Sequence, residues 1–128
     1  ALSSAASDVY KRQRYNSKKS LIDSAKDYVH RNYRSVDLGL DDTCKELGVS
    51  NSYFSSLFKK ETGSSFVEYL TDYRMDKAAR MLVETDDKSY VIAQNVGYAD
   101  PNYFSYVFKR KYGVSPSRYR TEYEKNKV

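Results

Sequence analysis

A chain of 128 residues suits one domain or two very small ones, with length enough for a real core. Lys and Arg total 22 against 17 Asp and Glu, so the net charge is +5 and the isoelectric point about 9.2, a modest bias toward an anionic partner. Five Gly and two Pro exclude collagen-like and low-complexity classes, no apolar run approaches the roughly 18 residues of a membrane span, no signal-peptide pattern is present, and the single Cys44 excludes an internal disulfide; a cytoplasmic protein is expected.

Residues 1–17 read as a linker or tail. The stretch Asp8-Val9-Tyr10-Lys11-Arg12-Gln13 also matches a translated transposon-end sequencing adapter; under that alternative residues 1–13 are an artefact and the native chain starts near Arg14. No function is assigned to this stretch. Leu21, Ala25, Tyr28, Val29 and Tyr33 then predict a helix over about 18–33. Leu40, Cys44 and Leu47 fall at i, i+4 and i+7, the apolar stripe of a short helix. Gly48 can take the left-handed conformation that ends it, and Ser50 caps the next helix. That helix buries Phe54, Leu57 and Phe58 and stops at Gly63, giving a first helix-turn-helix over about 39–63.

Phe66, Tyr69, Leu70, Tyr73, Ala78, Met81 and Leu82 predict a longer connector helix over about 65–84. Asp86-Asp87-Lys88-Ser89 forms a loop and N-cap. Ile92, Ala93 and Val96 make the next stripe and Gly97 its stop. Asp100 is an N-cap and Pro101 sits at the first helical position, where proline is welcome. Phe104, Val107 and Phe108 face the core and Gly113 ends the helix, so a second helix-turn-helix covers about 89–113. Pro116 after Ser115 opens a last helix to about residue 125. No segment shows the alternating pattern of a strand. The expected fold is all-α, with about seven helices in a domain over 18–128 and two helix-turn-helix subdomains joined by the connector.

The chain repeats itself. At an offset of 50, Tyr53/Tyr103, Phe54/Phe104, Ser55/Ser105, Phe58/Phe108, Lys59/Lys109 and Gly63/Gly113 are identical. Leu57/Val107 and Lys60/Arg110 are similar, and Ser65/Ser115 and Tyr69/Tyr119 extend the match. Upstream, Leu47-Gly48-Val49 aligns with Val96-Gly97-Tyr98 at an offset of 49, so the second copy has one extra residue in its turn. Small residues at Cys44 and Ala93 let the paired helices approach closely.

These residues resemble the AraC-type transcription-factor DNA-binding domain over about 19–122. The most specific part runs from Val96-Gly97-Tyr98 through Asp100-Pro101-Asn102-Tyr103-Phe104 and Phe108-Lys109-Arg110 to Gly113, Ser115-Pro116 and Arg118-Tyr119-Arg120. Phe58 to Gly63, and Arg74-Met75 followed by Ala78, also fit. Thr43 departs from the pattern, standing where the family usually has an apolar residue. Ser55-Ser56 departs too, since many members carry a longer side chain at the second position. Leu21-Ile22 through Tyr33 and the 14 Tyr look most like members fused to a response-regulator receiver domain, with sugar-sensing members as the alternative.

The resemblance implies a bacterial transcription regulator whose two recognition helices enter successive major grooves of double-stranded DNA. Base reading is expected from the outward N-terminal residues of each recognition helix: Asn51, Ser52, Ser55 and Ser56 in the first, Asn102, Tyr103, Ser105 and Tyr106 in the second. Phosphate contacts are expected from Lys59, Lys60, Lys109, Arg110, Lys111 and Arg118. Arg120 is either a further phosphate contact or the partner of a carboxylate inside the fold. RNA polymerase is a further implied partner, with an N-terminal regulatory domain outside this sequence and a monomeric isolated domain. No cofactor or metal is expected.

An enzyme is not expected. His30 is the only histidine and Cys44 the only thiol, on different predicted helices, with Cys44 in an apolar stripe. Asp41-Asp42 lies near a helix start, where acidic residues are favourable. Asp86-Asp87 lies in a loop. No phosphate loop, nucleophile elbow or metal cluster is recognisable. The alternative to DNA binding is a helical protein-interaction module that has kept the fold but binds DNA weakly or not at all.

Overall fold

Capping residues and left-handed glycines divide the described residues into seven helices. The computed structural model describes residues 3–127, with side chains from Ser17 onward, so the alternative origin of residues 1–13 concerns side chains outside the described residues. The helices are α1 (Ser3–Asn32), α2 (Leu40–Leu47), α3 (Asn51–Thr62), α4 (Phe66–Glu84), α5 (Ser89–Asn95), α6 (Pro101–Tyr112) and α7 (Pro116–Asn126). There is no strand among the described residues. One boundary differs clearly from expectation: α1 begins at Ser3, not near residue 18. No Gly or Pro interrupts residues 3–32, and Ala5, Ala6, Lys11, Arg12, Gln13 and Arg14 are good helix formers.

Four helices start on side-chain caps, of which Ser50 and Asp100 were expected as caps and Ser115 as the residue before the last helix. The Ser50 hydroxyl accepts the Tyr53 N–H at 3.2 Å, Ser65 that of Glu68 at 3.1 Å and Ser115 that of Arg118 at 3.3 Å. The Asp100 carboxylate accepts the Asn102 N–H at 2.9 Å. Each satisfies a donor that a helix start would otherwise leave open. The α5 start is different. Lys88 occupies the cap position without a side-chain cap bond, and Ser89 is already helical. The turn before it is organised by Thr85, whose hydroxyl donates to the Met81 carbonyl at 2.6 Å and accepts the Asp87 N–H at 3.3 Å.

Two cores divide the molecule into lobes. The first gathers Ile22, Ala25 and Val29 of α1, Leu38, Cys44 of α2, Phe54, Leu57 and Phe58 of α3, and Phe66 and Leu70 of α4. The second gathers Tyr33 just after α1, Met75, Ala78, Ala79 and Leu82 of α4, Ile92 and Ala93 of α5 with Val96 after it, and Phe104 and Phe108 of α6. The repeat is thus a repeat of packing: Phe54 and Phe58 take the same places in one lobe that Phe104 and Phe108 take in the other, all fully buried. Burial of each such ring contributes roughly 1.5–3 kcal/mol. The connector α4 serves the first core with its first half and the second core with its second.

Tyrosine supplies the borders. Tyr69 and Tyr73 pack on the first core; Tyr98, Tyr112 and Tyr119 pack on the second, each partly exposed. Tyr28 in addition ties α1 to α2, its hydroxyl donating to Asp42 at 2.8 Å. In the second lobe α7 closes over α4 and α6. Arg120 neither meets a carboxylate nor stays free for phosphate. Its Nε donates to the Leu82 carbonyl at 2.8 Å and Nη2 to that of Thr85 at 3.1 Å, filling acceptors at the C-terminal end of α4.

Candidate nucleic-acid interface

In each lobe a short helix, a glycine turn and a capped second helix present the N-terminal half of that second helix outward. Gly48 takes φ +70° and Gly97 φ +92°, a region that β-carbon-bearing residues rarely adopt. The longer second turn expected from the sequence is present: three residues separate Gly97 from the start of α6, two separate Gly48 from the start of α3.

On α3, Ser52 and Ser56 are exposed and Ser55 is half-buried. Asn51 is exposed but not free: its amide donates to the Asp41 carboxylate on α2. That contact fixes which end of the amide faces outward, leaving the oxygen and removing one donor from any base contact. Lys59 and Lys60 are exposed near the far end of the helix.

On α6 the outward residues are larger and organised. Tyr103 and Tyr106 are each 56% exposed, and their rings stack with centroids 6.3 Å apart at 26°. Arg110 lies one turn further on, its guanidinium 5.8 Å from the Tyr106 ring centre, with Nη1 donating to the Tyr106 hydroxyl at 3.3 Å. Tyr98 flanks Tyr103 from the turn at 6.0 Å. The result is a polar-tipped aromatic shelf with a cation at its edge. Asn102 is exposed beside it, and no hydrogen bond engages its amide among the described residues. Ser105 is half-buried and Lys109 exposed.

Lys111, expected as a phosphate contact, lies against α4. Its ammonium lies 2.8 Å from Asp76 and 3.5 Å from Asp72 on α4, and donates to the Asp72 carbonyl at 3.2 Å. Tyr112 donates to the same Asp76 oxygen at 2.9 Å. Burial pushes the Asp76 carboxyl up, but the hydrogen bonds from Lys111 and Tyr112, with the charges of Lys111 and Arg80, outweigh it and hold the group below the usual carboxylate range. Lys111 therefore ties α6 to α4. Arg118 is exposed, paired along its own helix with Glu122 at 3.1 Å.

The residues set aside as enzyme candidates are absorbed by the fold. Cys44 is buried, and burial followed by the charge of Asp41 pushes its thiol up, so it stays protonated. His30 stacks on Tyr73 at 4.6 Å and shares a 2.9 Å hydrogen bond with the Tyr69 hydroxyl. No group of three or more His, Cys, Asp or Glu gathers as a metal site among the described residues. Arg74 was visible in the sequence only as a match to a family pattern. It is 7% exposed and bound to main-chain carbonyls, a place that no local sequence signal marks.

Two like units, each offering a capped helix with an outward polar face, define a tandem helix-turn-helix protein. The helix-turn-helix domain family matches residues 43–122, and the chain belongs to it, in its AraC-type branch of transcription regulators. A solved C-terminal domain of the two-component response regulator yesN from Fusobacterium nucleatum is 36% identical, with a TM-score of 0.75 over 77% of this chain and 95% of that one. The C-terminal domain of AraT, a response regulator from Geobacillus stearothermophilus, is 39% identical, with a TM-score of 0.78 over 80% and 84%. The lactose operon transcription activator of Staphylococcus xylosus is 36% identical over 80 residues, 62% of this chain and 28% of that one. The chain thus spans under a third of that activator's length.

Proposed function

We propose that this chain is the DNA-binding output domain of a bacterial transcription regulator and reads double-stranded DNA with α3 and α6 in successive major grooves. The observation that supports it most is the duplicated unit itself, with a capped, outward polar helix in each lobe. The 19 residues of α4 span about 28 Å at ~1.5 Å per residue, close to the roughly 34 Å of one DNA turn. An anion-seeking surface fits the local charge, since residues 101–128 carry a net +5.

The two units are unequal readers. Asn102, Tyr103, Ser105 and Tyr106 carry most of the base discrimination, with the free amide of Asn102 suited to adenine N6 and N7. Ser52, Ser55 and Ser56 make shorter contacts, and Asn51 acts as an acceptor because Asp41 holds its donor end. Lys59, Lys60, Lys109, Arg110 and Arg118 meet phosphates. Lys111 is left out of that set because its charge is satisfied by α4. The reading makes the domain a binding module and not an enzyme, acting in the cytoplasm as a monomer in isolation. An N-terminal regulatory domain, of the response-regulator kind suggested by the two solved relatives, would precede it, and RNA polymerase is the further partner.

Selection of sites from a random duplex pool, followed by titration at several salt concentrations, tests the proposal. Asn102→Ala is expected to cost ~1–3 kcal/mol on the selected site and to relax one base position, and Lys109→Ala to weaken all sequences alike and flatten the salt slope by about one. No enriched site and no salt dependence would favour the protein-interaction reading. Equal loss on selected and scrambled duplexes for Asn102→Ala would move base reading to Ser52, Ser55 and Ser56.

A further inference from the structure

The segment 33–38 links the two cores. Tyr33 at its start is buried in the second core, and Leu38 at its end in the first. Arg74 sits at the same border within α4, between Leu70 of the first core and Met75 of the second. Its guanidinium binds the linking segment along its length. Nε donates to the Tyr33 carbonyl at 3.0 Å, and Nη2 to that of Ser35 at 2.7 Å, with the Leu38 carbonyl at 3.5 Å. The guanidinium carbon lies 5.6 Å from the centre of the Tyr98 ring, in the turn of the second helix-turn-helix.

Gly97 closes the arrangement from that side. A β-carbon there would stand 2.5 Å from the Tyr33 carbonyl oxygen and 2.8 Å from both Cζ and Nη2 of Arg74. The turn that orients α6 therefore rests directly on the Tyr33 carbonyl and on the guanidinium that also holds the Ser35 and Leu38 carbonyls, the side of the segment leading to the first core. A capping role alone would explain the bonds to carbonyls following α1. It would not require the turn of the second helix-turn-helix to press its backbone against the same atoms.

We propose that Arg74 and Gly97 are positioning residues for DNA reading: they pin the second helix-turn-helix at one orientation to the first, beyond what the connector helix alone would hold. A single helix between lobes leaves twist and bend free. A fork of directed hydrogen bonds to three carbonyls, packed under a turn that only glycine can form, removes that freedom. Two rigidly linked readers gain effective concentration at matched spacing and lose it when the spacing is wrong. The consequence for DNA rests on the function proposed above; the orientation itself does not.

The experiment has a DNA-free arm and a DNA arm, both on the 128-residue chain. Spin labels at Glu46→Cys and Asp87→Cys, exposed positions in opposite lobes, report the inter-lobe distance, with Cys44 buried and not competing. The parent chain is expected to give one narrow distribution. Arg74→Lys, which keeps the charge and loses the fork, and Gly97→Ala, which wedges the contact, are expected to broaden or shift it while circular dichroism remains helical. In the DNA arm, inserting about five base pairs between the half-sites turns them half a helical turn apart. That insertion should cost the parent chain on the order of a hundredfold, and the variants less than about tenfold, from a weaker peak affinity and with unchanged base preference in each half-site. Folded variants with the parent's distance distribution and spacing penalty would overturn the proposal, as would a uniform loss across all spacings. Should one variant fail to fold, the other carries the comparison. If the parent chain binds no duplex, the DNA reading fails, and the distance distributions still decide whether Arg74 and Gly97 set the lobe orientation.

Discussion

Thr43 carries a cost that can be removed. It is fully buried on α2, and its hydroxyl has no hydrogen-bond partner among the described residues. A buried polar group without a partner costs about 1–3 kcal/mol. Valine has nearly the same shape and the same β-branch, so helix propensity barely changes. Thr43→Val is therefore expected to raise stability by about 1–2 kcal/mol, allowing for the slightly larger methyl. Thr43→Ser, which keeps the hydroxyl and deletes the methyl, should lower stability by roughly 1 kcal/mol. Urea denaturation followed by circular dichroism gives both values, provided the slope with urea is unchanged. A valine variant no more stable than the parent would refute the reasoning, since the hydroxyl would then be making a bond in solution that offsets its burial.

Phe58→Ala and Phe108→Ala should each cost roughly 3–5 kcal/mol, since both rings are fully buried, and a melting temperature unchanged in either would remove that ring from its core. Asp76→Asn should destabilise at neutral pH and progressively less in acid: the folded carboxyl is held low, so its contribution is present above the unfolded value near about 3.9 and is lost as pH falls through the folded one. Denaturation at neutral, mildly acidic and strongly acidic pH checks this, and a difference that stays constant across the range would take the charge out of the account. Cys44 should react with iodoacetamide only as fast as the first lobe opens, in step with denaturant; rapid labelling of the native protein would contradict its burial.

The fold was legible because its rules are local or periodic. Apolar residues at helical spacing, Ser50 and Asp100 as caps, the Ser115-Pro116 helix start, and Gly48, Gly63 and Gly113 as stops each act within a few residues of themselves. The start of α1 was misplaced for the complementary reason: a mixed polar stretch with no Gly or Pro carries no boundary signal once the apolar stripe ends. What the sequence could not show is pairing between distant charges. Lys111 looks like any lysine of a basic run until α4 brings Asp72 and Asp76 beneath it, 35 or more residues away in sequence. Asn51 looks like a free amide until α2 turns Asp41 toward it. Arg120 looks like a phosphate ligand until α7 lays it over the end of α4.

The same distinction bears on how two copies of one unit come to do different work. Phe54/Phe104 and Phe58/Phe108 are locked by burial, because a change at any of them leaves a cavity or a clash. The outward positions carry no such constraint, and there the copies differ: Ser56 stands opposite Tyr106 and Ser52 opposite Asn102. Packing of the short serines asks nothing of the neighbouring chain, whereas Tyr106 is held by Tyr103 and Arg110 in a single arrangement. A preset aromatic shelf loses little side-chain freedom when a base edge meets it, while a flexible side chain would have to be ordered first. Under the function proposed above, the second lobe is the better placed of the two to discriminate between sequences, and the first would contribute register and phosphate contact from Lys59 and Lys60.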